Sequence, residues 1–138
     1  MMSALLIQGV PIECVNQAAV RYYVPAKVIL SVLKTERGKP GLASSNTNGT
    51  VDLGPMQINS IWLKKIIAYG VSAEKVRFDP CVNVAVGTWI LGQYIASSGS
   101  YWTGVANYHS HTPIYNHTYQ QKIRQQFNAL TQVMDDPI

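Results

Sequence analysis

Glu36 is the residue whose type and position first suggest chemistry. Apolar side chains at Ile29, Val32 and Leu33 mark one stripe of a helix, and steps of seven, four and three residues from them all land on Glu36. The acid therefore belongs to the face that meets the core, and Gly38 reads as the helix stop. Burial disfavours a carboxylate and so does the negative end of a helix dipole, so this glutamate is expected to keep its proton near neutral pH. A proton kept there and given to a departing oxygen is general acid catalysis. The competing reading is a glutamate paired with Arg37 or Lys39 on a solvated helix end.

Several elements must hold such an acid in place. Its helix opens at Pro25, behind an earlier one expected over residues 11–23 with Cys14, Ala18 and Tyr22 at four-residue spacing. From 38 to 54 the composition turns to Gly, Ser, Asn and Thr, and Asn48-Gly49 predicts a two-residue turn between short strands. A hairpin directly after the acid makes one wall of a cleft. A third helix is expected from an N-cap at Asn59 or Ser60 to Gly70, and Ser72 caps a short turn reaching Arg77. Asp79-Pro80 starts a helix over residues 81–97 that is apolar nearly all round, which places it at the centre of the domain. After Ser98-Gly99-Ser100 come a short helix over 101–108 and a turn over 110–116 containing Thr112-Pro113. Tyr119, Ile123, Phe127, Leu130 and Met134 then form one face of a last helix.

The 138 residues, 47% hydrophobic and 13% charged, predict one folded domain and exclude a disordered chain. That domain is placed at 13–134. Residues 1–12 read as an N-terminal segment that is not a convincing secretory signal as it stands, either the remnant of a trimmed one or a start chosen for expression, and 135–138 as a frayed tail. Eleven Lys and Arg against seven Asp and Glu leave a charge of +4, which favours an anionic partner. No arginine-rich run supports nucleic acid, and no stretch is long enough to span a membrane. His109, His111 and His117 have no Asp or Glu between Asp79 and Asp135 to complete a metal site, so none is expected. Cys14 and Cys81 are either bonded to each other or two buried thiols, and their spacing does not decide which.

The helix ending in Glu36, the run Asn46-Thr47-Asn48-Gly49-Thr50-Val51-Asp52-Leu53-Gly54, the Gly-x-Met-Gln-Ile-Asn segment at 54–59, Trp62-Leu63, Asp79-Pro80-Cys81 and Ala106-Asn107-Tyr108 follow one another in a specific order. Over residues 14–124 the chain resembles the lytic transglycosylases of the goose-type lysozyme-like (SLT) family, above all the small ones attached to secretion, conjugation and pilus machineries. The resemblance implies a mainly α, lysozyme-like single domain with a small β-hairpin beside the active-site cleft. It makes Glu36 the sole acid and base. Glu36 would protonate the glycosidic oxygen between N-acetylmuramic acid and N-acetylglucosamine while the sugar's own acetamido group stabilises the departing charge, an exception to the two-carboxylate scheme. The ionised Glu36 would then take the C6 hydroxyl proton, closing a 1,6-anhydro ring without water.

The same resemblance puts Gln57 and Met56 on the cleft wall and makes Tyr108 the tyrosine whose hydroxyl approaches the acid. Asn107, Ser45 and Asn59 are further substrate-binding candidates. Read from the residues alone, Met56 is as readily core filling and Gln57 a helix-entry hydrogen bond. Cys14 and Cys81 match a pair that joins the first helix to the central one, which implies a disulfide and a periplasmic protein exported by a leader missing or trimmed here. The implied partners are peptidoglycan strands and an envelope machine, for a monomer without cofactor, metal, nucleic acid or transmembrane segment. Three positions depart from the pattern: Arg37 for Ser, where a cation would lower the acid's pKa; Pro55 for Leu; and Asn107-Tyr108-His109-Ser110 for Tyr-Asn-Ala-Gly. Two other readings stay open, a hydrolytic lysozyme using Glu36 with Asp52 and a non-catalytic glycan-binding subunit of a secretion apparatus.

Overall fold

A computed structural model describes residues 5–134. The acid-bearing helix α2 (Ala26–Glu36) lies between α1 (Ile12–Tyr22) and α7 (Pro113–Met134). Its residues from 28 to 33 are buried on every side, not along one stripe only. Ser31 is tolerated there because its hydroxyl donates to the Lys27 carbonyl, 2.7 Å away. On the other side of α1 runs α5 (Pro80–Ser97), started as expected by Asp79, whose carboxylate accepts from the Cys81 and Val82 N–H groups at 3.0 and 3.1 Å. It packs against α1, α4 (Ala73–Phe78) and α6 (Tyr101–Asn107). Cys14 and Cys81 are bonded, joining α1 to α5 with Cα atoms 5.3 Å apart.

Several local expectations are revised. Arg37, not a glycine, takes the left-handed cap of α2 (φ 56°, ψ 30°), its N–H donating to the Leu33 carbonyl. Gly38 is needed for another reason: a Cβ there would strike the carbonyl oxygens of Gly54 and Pro55. The hairpin strands β3 (Ala43–Ser45) and β4 (Val51–Leu53) are joined by a five-residue loop in place of a two-residue turn, closed by the Asn46 N–H on the Thr50 carbonyl at 2.9 Å. A third strand, β5 (Ile58–Asn59), pairs antiparallel with β4 in the register Asp52↔Asn59 and Leu53↔Ile58. Two residues are too few for alternation to reveal them.

Pro113 is the first residue of α7 and not part of a turn, a position where its missing N–H costs nothing. The third helix begins as a 3-10 turn (Ser60–Trp62), capped by the Asn59 side chain on the Ile61 N–H at 3.0 Å, and continues as α3 (Leu63–Ala68). Ahead of α1, β1 (Leu6–Ile7) and β2 (Val10–Pro11) form a second, smaller hairpin. Val10 is fully buried, so this hairpin supplies part of the core. The expected tail at 135–138 lies outside the described residues.

Candidate active site

The cleft is built on the turn between β4 and β5. Gly54 sits at φ +69°, where an added Cβ would meet the Asn83 amide. Asn83, fully buried on α5, holds this turn from beneath: its amide nitrogen donates to the Leu53 and Val76 carbonyls at 2.9 and 2.8 Å, and its oxygen accepts from the Met56 N–H at 2.8 Å. All four hydrogen-bonding positions of an amide allow three to be used here, which leaves no buried polar atom of Asn83 idle. Gln57 is held at φ 51°, a left-handed conformation that few side-chain-bearing residues adopt, and its amide donates to the Gly54 carbonyl at 3.0 Å. The glycines, the proline and the strained glutamine thus turn the chain sharply under the end of α2.

Glu36 faces this turn across the cleft, together with Asp52, Gln57, Asn59, Trp62, Tyr108 and the loop residues Asn46, Asn48 and Thr50. Its Oε2 accepts a 2.6 Å hydrogen bond from the Tyr119 hydroxyl on α7. The pKa of Glu36 is raised from 4.5 to about 7. Burial is the main cause and the Asp52 charge adds to it, while the Tyr119 hydrogen bond and the Lys122 ammonium oppose it. Arg37 is exposed and has no part in the shift, so the cation beside the acid in sequence is not the one that acts on it. The result is a carboxyl that can both give and take a proton near neutral pH.

Around Asp52 the polar groups are tied to one another. Asn59 donates to the Asp52 Oδ1 and the Thr50 hydroxyl, both at 3.1 Å, and Asn48 accepts from the Thr50 N–H and hydroxyl at 3.0 and 2.6 Å. Such a network orders the hairpin loop as one wall. Trp62 bounds the cleft and is itself braced edge-on by Trp89 and Tyr94, with ring centroids 6.0 and 5.9 Å away.

The residues expected on the cleft divide into two groups. Glu36, Gln57, Asn59 and Tyr108 line it. Met56 does not: its side chain is fully buried against Gly87, so the core reading of this methionine is the one observed. Asn107 accepts from Asn116 at 2.9 Å and ties α6 to the start of α7, and Ser45 is exposed at the end of β3 opposite Val51. Tyr108 approaches the acid without bonding to it, because its hydroxyl donates to the Met56 carbonyl at 2.6 Å. The hydroxyl on Glu36 is that of Tyr119, read in the sequence as one member of an apolar face. A buried tyrosine among aliphatic residues needs a partner for its hydroxyl, and that was the available signal.

His109 lies flat on the Tyr119 ring, 4.7 Å between centroids and 4° between planes, and lines the cleft beside Glu36. Its pKa is lowered, mainly by burial and also by Lys122, with Asp52 opposing. His111 instead meets Tyr94 edge-on. Like Tyr119 and Lys122, Asn83 and His109 have roles that only the tertiary structure reveals.

A mainly helical, lysozyme-like domain with one protonatable glutamate at a helix end above a polar cleft is the class that this fold and site define. Residues 13–130 match the Transglycosylase SLT domain, and the chain belongs to that family. It is 33% identical over 101 residues to Invasion protein IagB of Salmonella typhimurium, a stretch that makes up 72% of this chain and 63% of that protein. To Protein IpgF of Shigella flexneri it is 29% identical over 101 residues, 72% of this chain and 66% of the relative. The matched stretch thus spans just under two thirds of each of these relatives.

Proposed function

We propose that the protein is a peptidoglycan lytic transglycosylase that cleaves the β-1,4 bond between N-acetylmuramic acid and N-acetylglucosamine and leaves a 1,6-anhydro end. The observation that carries this reading is Glu36, raised to about 7 and held by Tyr119 over the cleft. In the first step Glu36 donates its proton to the glycosidic oxygen, and the substrate's acetamido oxygen stabilises the anomeric carbon as the bond breaks. Glu36, now a carboxylate, removes the C6 hydroxyl proton as that oxygen attacks the anomeric carbon. The proton balance closes, since the acid ends as it began. Gln57 and Trp62 line the cleft, where Gln57 would hydrogen-bond the acetamido group and Trp62 would stack against a sugar ring.

The Cys14–Cys81 bond supports a periplasmic setting, because disulfides persist in oxidising compartments. Among the described residues no helix is long and apolar enough to cross a membrane. Similarity to a protein named for invasion supports a role in opening the wall locally for an envelope-spanning machine.

A hydrolytic reaction is the second reading, favoured by Asp52 standing in the same cleft. Against it, Asp52 is engaged by Asn59 within the sheet. Weighing the products of a peptidoglycan digest separates the two, since anhydro ends are lighter than reducing ends by one water. We expect anhydro ends throughout, and their complete absence would refute the transglycosylase reaction. A digest by the Glu36→Gln variant is expected to yield no products while glycan binding persists, and an undiminished rate would remove Glu36 from the mechanism.

A further inference from the structure

Beyond the acid, a polar groove runs between the end of α2 and the middle of α7. Lys34, Arg37 and Lys122 line it with Thr35, Gln125 and Gln126, and no carboxylate does. It does not stand apart from the cleft. Thr35 and Lys122 also line a smaller hollow that contains Glu36, Tyr119 and His109, and Glu36 and His109 in turn line the cleft itself. Lys122 lines that hollow together with Glu36 and His109 and acts electrostatically on both, which puts the inner end of the groove beside the acid.

Three cations converging without an acid between them repel one another, an arrangement that an anion would relieve. Among the described residues neither Lys34 nor Arg37 has an ion-pair or side-chain hydrogen-bond partner. Arg37 also holds its backbone at φ 56°, where glycine or asparagine would sit with less strain. The side chain and not the turn is therefore the reason for an arginine here.

Resting on the transglycosylase reading, we infer that this groove binds the carboxylates that hang from the muramoyl sugar cleaved at Glu36. Those carboxylates have two sources. They belong to the stem peptide where it is present, or to the free lactyl group where the peptide has been removed. In both cases the substituent leaves the sugar at C3, two carbons from the anomeric centre on which Glu36 acts, and the groove begins beside Glu36.

The test compares wild type with the double variant Lys34→Gln, Arg37→Gln on three substrates: strands bearing peptides, strands stripped of peptide by an amidase, and peptide-bearing strands whose carboxylates are capped as methylamides. Exposed charge pairs are each worth a fraction of a kcal/mol to about 1, so KM on peptide-bearing strands is expected to rise about threefold to tenfold. The rise should shrink as salt screens the pairs, and the wild-type advantage should vanish on capped strands. An equal rise on stripped strands shows that the groove takes either carboxylate, and no rise there assigns it to the peptide alone. Equal KM for both proteins on the two charged substrates, or an equal loss on capped strands, overturns the inference. If neither protein cleaves any strand, the transglycosylase reading fails while the groove is still judged by titration with the soluble stem peptide. Binding several-fold weaker for the double variant, and for the amidated peptide, would sustain the groove; equal binding would end it.

Discussion

Glu36 keeps its proton because burial outweighs the two groups that favour its charge, Tyr119 and Lys122. Tyr119→Phe removes one of those two, so the pKa of Glu36 rises further and the alkaline limb of the pH–rate profile moves to higher pH. Losing a hydrogen bond to a carboxylate that must be aimed is also expected to lower kcat/KM by about tenfold or more. A limb that moves down would contradict the assignment. The same shift affects stability. Between pH 4.5 and about 7 the folded protein holds a proton that the unfolded chain has released, so stability falls as pH rises through that window. Glu36→Gln abolishes the fall. Its urea midpoint should match wild type near pH 4 and exceed it at pH 8, by up to about 3 kcal/mol in free energy. Glu36 was legible because the stripe through Ile29, Val32 and Leu33 is local. Tyr119 lies 83 residues away, and no periodicity within α7 says what its hydroxyl meets.

Between β4 and β5 a six-residue motif turns on one side chain of a distant helix. Asn83 replaces the solvent that the Leu53, Met56 and Val76 backbone groups lose on burial. Asn83→Ala deletes three buried hydrogen bonds and is expected to cost about 3 kcal/mol, read from denaturant midpoints. Activity should fall by more than the folded fraction explains, because Gln57 and Asn59 hang on that turn. Unchanged stability would mean that the turn holds itself. Asn59 announced a cap in sequence, and it is observed. The third strand and the five-residue loop were not legible, since a two-residue strand has no alternation and the Asn46–Thr50 contacts outweigh the preference of Asn-Gly for a tight turn. Helix ends fared differently. Asp79-Pro80 worked as read, whereas the stop at Gly38 did not, because that glycine answers to the backbone passing over it.

For the molecule as a whole, the bond from Cys14 to Cys81 closes a 67-residue separation and ties the helix that flanks α2 to the helix beneath the cleft. Chain-entropy reasoning gives a loop of that length about 4 kcal/mol. Cys14→Ser with Cys81→Ser, or reduction of the wild type, should lower the thermal midpoint markedly while leaving the pH–rate profile of the folded protein in place. An unchanged midpoint would show that helix packing alone suffices. The two cysteines did not reveal their pairing by spacing, and only their likeness to a known pair suggested it. The basic charge was visible as a sum, but its concentration along α2 and α7 depends on how those helices meet.

Helix order, the starts at Asp79 and Asn59, and the placing of one acid at the end of an apolar helix all came from the amino-acid sequence, because caps and periodicity act within a few residues. Which tyrosine holds that acid, which cation tunes it, and which of Met56 and Gln57 faces the cleft came from the tertiary structure. Those outcomes depend on hydrogen bonds and burial between residues far apart in the chain. Their energies exist only once the surfaces have met.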